Sequence, residues 1–316
     1  MVDGLRGKMK YNKLRKTGIQ VSRLGLGTVE LGLDYGINKP GNFSKPDERH
    51  SIYLLHKAAD MGINLFDTAP SYGNSEKLLG KAFANRKDCI IATKINIPSE
   101  GENIERYIQS SLSKSCKNLK KKYLDIVQVH NATYNTFFNT DLFEILMKEK
   151  QKDNIQLIGA SVYEPENALA AIKSEMIDVL QIAYNILDQR MGKEVLVEAE
   201  SKGIDILSRS VFLKGVLTER VKYLPEHCEL LKRAVENLKE KMNFTSWGDL
   251  SDFALRFVLS NSKITSVLVG ICNEAELDFA LNAFNKGKLN NHELNLAYSC
   301  GINNNFLLNP SNWEID

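Results

Sequence analysis

Short apolar, β-prone runs alternate along this chain with longer stretches whose apolar residues recur at helical spacing. The strand-like runs are Leu24–Gly27, Ile63–Phe66, Cys89–Thr93, Leu124–Val129, Ile155–Ile158, Val179–Ile182, Ile204–Leu207 and Ser266–Val269. Between them, spacings such as Ile52, Leu55, Ala58, Ala59 and Ile104, Ile108, Leu112, Cys116, Leu119 gather apolar residues on one helical face. The neighbourhoods of Ser51 and Asp141 read as helix starts and Ser201-Lys202-Gly203 as a helix stop. Strands separated by helices require right-handed crossovers and a parallel sheet. Eight such units close most simply as an α/β (β/α)8 TIM barrel.

Two segments fall outside the alternation. Met9 to Val21 predicts a short N-terminal hairpin turning at Lys16-Thr17-Gly18. Gly215 to about Thr245 carries an extra helical pattern, Leu230, Leu231, Ala234 and Leu238, before a helix over Leu250 to Leu259. This predicts a helical insertion after the seventh barrel strand, lying over the barrel mouth, and not a second domain. Residues 1–8 read as a loose leader and residues 9–316 as one barrel domain with a C-terminal tail from about residue 285. The Lys117 to Lys122 run falls at a predicted helix end, where cations suit the helix dipole and solvent.

Composition narrows the classes further. The chain has 316 residues, 43% hydrophobic and 25% charged, which excludes disordered and fibrous classes. Forty-one basic residues against 39 acidic ones give a net charge of +2, so charge supplies no reason for a nucleic-acid or membrane partner. The five cysteines are scattered without a C-x-x-C pair, which argues against a disulfide framework or zinc ribbon and points to a cytoplasmic setting. No stretch approaches the roughly 18 apolar residues of a membrane span.

In a barrel of this type, reactive groups stand at the C-terminal ends of strands. Asp67, Lys94 and His130 each follow a predicted strand, and Tyr72 lies in the loop after Asp67. Singly, each has an ordinary structural reading: helix cap, solvated lysine, core histidine or tyrosine. Together they are complementary. A tyrosine is a proton donor with a reference pKa of about 10, which a neighbouring ammonium lowers; a carboxylate keeps that ammonium charged, and an imidazole orients a carbonyl oxygen. No nucleophile set and no metal-ligand spacing accompanies them, and no G-x-G-x-x-G follows a strand. Glu30, Asn131 and Tyr134 follow strands as well and are candidates for a polar substrate pocket.

The blocks Leu24-Gly-Leu-Gly-Thr-Val-Glu-Leu-Gly32, Asn64-Leu-Phe-Asp-Thr-Ala-Pro-Ser-Tyr-Gly-Asn-Ser-Glu-Lys-Leu-Leu-Gly80, Ile91-Ala-Thr-Lys94, Val129-His130, Ile158-Gly-Ala-Ser161, Gln181-Ile-Ala-Tyr-Asn185 and Gly215-Val-Leu-Thr218 resemble the aldo-keto reductases, in order, from about Tyr11 to Ala283. The opening Gly27-Thr-Val-Glu-Leu-Gly-Leu-Asp-Tyr-Gly36 and closing Leu308-Asn-Pro-Ser-Asn-Trp313 resemble a bacterial branch often associated with surface-sugar pathways. The resemblance implies an NAD(P)H-dependent oxidoreductase that reduces an aldehyde or ketone, sugar-derived carbonyls included, with Asp67, Tyr72, Lys94 and His130 as the catalytic tetrad. The alternative, by resemblance to potassium-channel β subunits, is a module that holds the cofactor and acts through a partner with little turnover.

The same resemblance assigns cofactor contacts to Gly27, Thr28, Asp67, Ser161, Gln181, Arg209, Ser210, Phe212, Lys214, Gly270 and Glu276. It also exposes departures. Val162 stands where the family's Ser-Asn pair has its Asn, and Arg209 aligns with a ring-stacking aromatic. At the adenosine end, Gly270, Ile271, Glu276 and Ala280 replace the residues that select NADPH, so no cation answers a 2′-phosphate and Glu276 repels one. NADH against NADPH stays open, with NADH favoured by this loop.

Overall fold

The computed structural model describes residues 9–37, 45–138 and 141–315; the leader assigned to residues 1–8 lies outside them. Strands β1 (Tyr11–Lys13) and β2 (Gln20–Ser22) form the antiparallel hairpin. Gly18 takes φ +72° in its turn, a conformation that glycine adopts without steric cost.

Eight parallel strands close the barrel in the order β3 (Leu24–Gly27), β4 (Leu65–Asp67), β5 (Ile90–Ile95), β6 (Leu124–Val129), β7 (Ile155–Val162), β8 (Val179–Ala183), β9 (Asp205–Arg209) and β10 (Ser266–Gly270), the last pairing back onto the first. Helices pack outside, capped much as their sequences suggest. Asp47, four residues before Ser51, caps Glu48–Asp60, and Lys202 with Gly203 ends Val195–Ser201. Ser246 and Asp249 form a reciprocal capping box on Trp247–Ser260. The basic run is not a simple solvated helix end: Lys120 closes the helix in the left-handed region, and Lys121 pairs with buried Asp125.

Two apolar cores divide the strands' side chains between them. The outer core, between strands and helices, takes Phe66, Ile91, Val127, Val129, Ile158, Ala160 and Val162. The inner core takes Leu65, Ile90, Ala92, Ile126, Leu157, Val179, Leu207 and Leu268, and is plugged from the hairpin end by Leu14 and Val21. Because successive strand residues point to opposite faces, the interior positions above this plug include Asp67, Lys94, Gln128, Ser161, Gln181 and Arg209. Apolar filling therefore gives way to a polar layer at the C-terminal rim.

The insertion after β9 consists of short 3-10 turns at Leu213–Gly215, Glu219–Tyr223 and Glu226–Cys228, then the helix Glu229–Lys241. The C-terminal segment is docked on it. Trp313 is fully buried, its backbone oxygen bonds the His227 ring at 2.9 Å, and Lys214 Nζ donates to Ile315 O at 3.0 Å. Among the described residues, no helix is long and apolar enough to cross a membrane.

Candidate active site

A cavity of about 580 Å3 opens at the C-terminal rim, within the usual 300–1,000 Å3 range of small-molecule sites. Asp67, Tyr72 and His130 line it, and Lys94 sits directly behind Asp67. The Lys94 ammonium, 1% exposed, donates to Asp67 Oδ2 at 2.6 Å and to Thr68 O at 2.9 Å. It lies 4.8 Å from the centre of the Tyr72 ring, and the His130 ring meets that ring edge-on at 6.0 Å.

Register explains the convergence. Asp67 pairs with Gly27 on one side and with Ala92, two residues before Lys94, on the other, and Lys94 pairs with Gln128, so three consecutive strands deliver inward residues to the same end of the barrel. Lys94 is a strand residue here, because β5 continues to Ile95 rather than ending at Thr93. Asp67 Oδ1 is held by two amides that point inward by the same alternation, Gln128 Nε2 at 3.1 Å and Gln181 Nε2 at 2.7 Å.

Of the residues assigned to cofactor contact, Gly27, Thr28, Asp67, Ser161, Arg209, Ser210, Phe212, Lys214, Gly270 and Glu276 all line the cavity. Gln181 does not. Its amide is committed to Asp67, and its Oε1 accepts from Ser161 Oγ at 3.3 Å. The Val162 side chain belongs to the outer core, so the residue replacing the family's Asn faces away from the cavity. Asn131 and Tyr134 lie exposed outside the lining, whereas Glu30 is part of it.

Burial sets the site's electrostatics. It pushes the Tyr72 hydroxyl well above the usual tyrosine value, and the Asp67 charge pushes it further, with Arg209 opposing. This corrects the expectation of a tyrosine lowered by Lys94: burial and the Asp67 charge prevail although the ammonium lies 4.8 Å from the ring, and Tyr72 stands as a neutral phenol. Burial also lowers Lys94, against the opposing pull of Asp67. His130 falls to about 4 through burial and the nearby Lys94 charge, so its imidazole is neutral at pH 7.

The adenosine end holds a cation after all, contrary to expectation. Arg220, missed in the sequence, lines the cavity and donates from Nη2 to Glu276 Oε1 at 3.1 Å, while Cys272 N donates to Glu276 Oε2 at 2.6 Å. A cation is therefore present, already held by the carboxylate. Glu274 points elsewhere, to Lys57 at 2.8 Å. Glu30 also approaches this end: a Cβ added to Gly270 would lie 2.1 Å from its Oε1, and its Oε2 is buried with no partner among the described residues. Burial, reinforced by Glu276, raises the Glu30 carboxyl to about 7.

The sequence model of the aldo/keto reductase family matches residues 23–301. The chain is 28% identical to the L-galactose dehydrogenase of Arabidopsis thaliana, over 86% of each chain. It is also 28% identical to the NADH-specific methylglyoxal reductase of Escherichia coli, over 83% of this chain and 89% of that one. Its fold matches the holo form of the aldo-keto reductase AKR11C1 from Bacillus halodurans with a TM-score of 0.77, covering 92% and 96% of the two chains at 24% identity.

Proposed function

The chain belongs to the aldo/keto reductase family, an NAD(P)H-dependent group of oxidoreductases, and on that premise we propose that it reduces a small aldehyde or ketone, with Tyr72 as the proton donor. The observation that carries this reading is the buried Asp67–Lys94 pair behind Tyr72, with His130 edge-on to the same ring. A bound reduced nicotinamide supplies hydride to the carbonyl carbon. The protein's own groups manage the oxygen. Neutral His130 donates a hydrogen bond that orients it, and Tyr72 Oη delivers the proton as negative charge develops there. Lys94, anchored by Asp67 and Thr68 O, places a positive charge against the ring as its proton leaves. Gln128 and Gln181 keep Asp67 in position.

The lining supports a dinucleotide. Ser161 lines the same cavity as the proton donor, Lys214 and Arg220 supply cations along the wall, and the orphaned Glu30 Oε2 can accept from a donor such as a ribose hydroxyl. Substrates named in the relatives, L-galactose and methylglyoxal, bring small polyhydroxylated or dicarbonyl compounds to this chain as the class to test. With Arg220 held by Glu276, NADH binds at least as tightly as NADPH.

A turnover assay over a panel of aldehydes, ketones and sugar carbonyls with both cofactors tests the reading. Oxidation of reduced cofactor that depends on a carbonyl supports it. Tight cofactor binding without turnover on any carbonyl would favour a module acting through a partner.

A further inference from the structure

We infer that Arg209 makes this site discriminate between the two redox states of nicotinamide, holding the neutral reduced ring more tightly than the positively charged oxidised ring, so that reduced cofactor loads in preference and oxidised cofactor is released. The inference rests on the reading above that a nicotinamide enters this cavity.

A charge tally at the reacting end singles Arg209 out. Asp67 and Lys94 cancel as an ion pair at 2.6 Å. His130 and Tyr72 are neutral at pH 7, the first lowered and the second raised by burial. Arg209 closes β9 on the interior face and lines the cavity. Its guanidinium stacks 4.1 Å from the centre of the Tyr163 ring, donates from Nη2 to Val162 O at 3.1 Å, and donates from Nη1 to Ser210 Oγ at 3.1 Å. All three partners are uncharged. They fix the guanidinium without neutralising it, and among the described residues it makes no ion pair. Glu30, whose carboxyl lies against Gly270 beside Glu276 and Arg220, acts on Tyr72 in the opposite sense to Arg209 but more weakly.

Arg209's field reaches the chemistry: it favours loss of a proton from Tyr72, Lys94 and His130 alike. A carbonyl whose oxygen is hydrogen-bonded to Tyr72 must have its carbon within bonding reach of nicotinamide C4, so the ring shares that field. In the reaction the carbonyl carbon gains a C–H bond as the C4–H bond breaks with its electron pair. The oxygen takes the Tyr72 proton, which solvent replaces. The carbonyl is reduced, the cofactor is oxidised, and the ring passes from neutral to +1 beside a fixed +1. Two unit charges several Å apart at an effective dielectric near 20 repel enough to change a binding constant by about tenfold or more. An uncharged stacking residue would offer either ring a flat face without this discrimination; a guanidinium offers both face and charge.

The test is titration of oxidised and reduced cofactor, followed by protein fluorescence and calorimetry, with the wild type, Arg209→Lys, Arg209→Met and Arg209→Gln. The wild type should bind the reduced form at least about tenfold more tightly, which corresponds to about 30 mV for a two-electron couple. Arg209→Lys should retain most of that ratio. Arg209→Met should bring it toward unity, chiefly by tightening the oxidised form, and Arg209→Gln supplies the same comparison if the Met variant fails to fold. A wild-type ratio near unity, or a preserved ratio in the Met or Gln variant, overturns the role of Arg209 while leaving the cofactor reading intact. Failure of the wild type to bind either form overturns both.

Discussion

Replacing Lys94 with methionine removes the one charge that Asp67 is built around while keeping most of the side chain's volume. The Lys94 side chain is 0% exposed and that of Asp67 7%, so the carboxylate left behind cannot turn to solvent. Breaking a buried ion pair by deleting one partner costs about 3–5 kcal/mol. Asp67 keeps the Gln128 and Gln181 amides at 3.1 and 2.7 Å, which places the loss near about 3 kcal/mol. Thr68 O loses its 2.9 Å donor, adding about 1 kcal/mol. The expected total of about 4 kcal/mol would lower a urea midpoint by about 1 M or more at about 3 kcal/mol per molar.

The double variant Asp67→Asn/Lys94→Met, with both charges gone, should regain at least half of the lost stability yet remain inactive. Lys94→Met within about 0.5 kcal/mol of wild type at pH 8, by urea unfolding, would refute the buried-pair argument.

The remaining predictions concern the far end of the cavity. Glu30, raised to about 7 by burial, contributes stability below its unfolded value that is lost as pH rises through about 7. Glu30→Gln should therefore gain stability relative to wild type between pH 5 and pH 8.5, by at most about 3 kcal/mol, and parallel pH profiles in urea would count against it. Gly270→Ala should displace the Glu30 carboxylate, the far end of a flexible side chain, at a cost of at most about 1 kcal/mol, and Glu30→Ala should relieve most of that cost in a double-mutant cycle; additive costs would contradict the contact. Glu276→Gln should release Arg220 and raise NADPH affinity relative to NADH by about 1–3 kcal/mol in fluorescence titrations, and an unchanged ratio would remove Arg220 from phosphate recognition.

The barrel was legible because each strand carries its own apolar run and each helix its own period, and these local signals agree with the closed sheet. Asp67, Lys94 and His130 were legible for the same reason, as polar residues breaking apolar runs at strand ends. Gln128 was not, although it stands two residues before His130 and so shares its interior face; reading the alternation backwards from His130 finds it. Arg220 escaped because its approach to Glu276 joins the insertion after β9 to the helix after β10, positions that only the closed barrel brings together. The Tyr72 electrostatics were misjudged for a related reason. Spacing brings Lys94 near the tyrosine, but whether its charge outweighs burial and Asp67 depends on packing inside the polar layer.

The central claim, that Tyr72 gives the proton in carbonyl reduction, is tested most directly by Tyr72→Phe, which deletes the hydroxyl and keeps the ring. Steady-state kinetics on the best carbonyl from the panel, paired with a cofactor titration of the same protein, should show kcat/KM falling by at least about 10²-fold with cofactor affinity unchanged. Turnover close to wild type in a variant that binds cofactor normally would contradict the claim and place the proton donor elsewhere in the cavity.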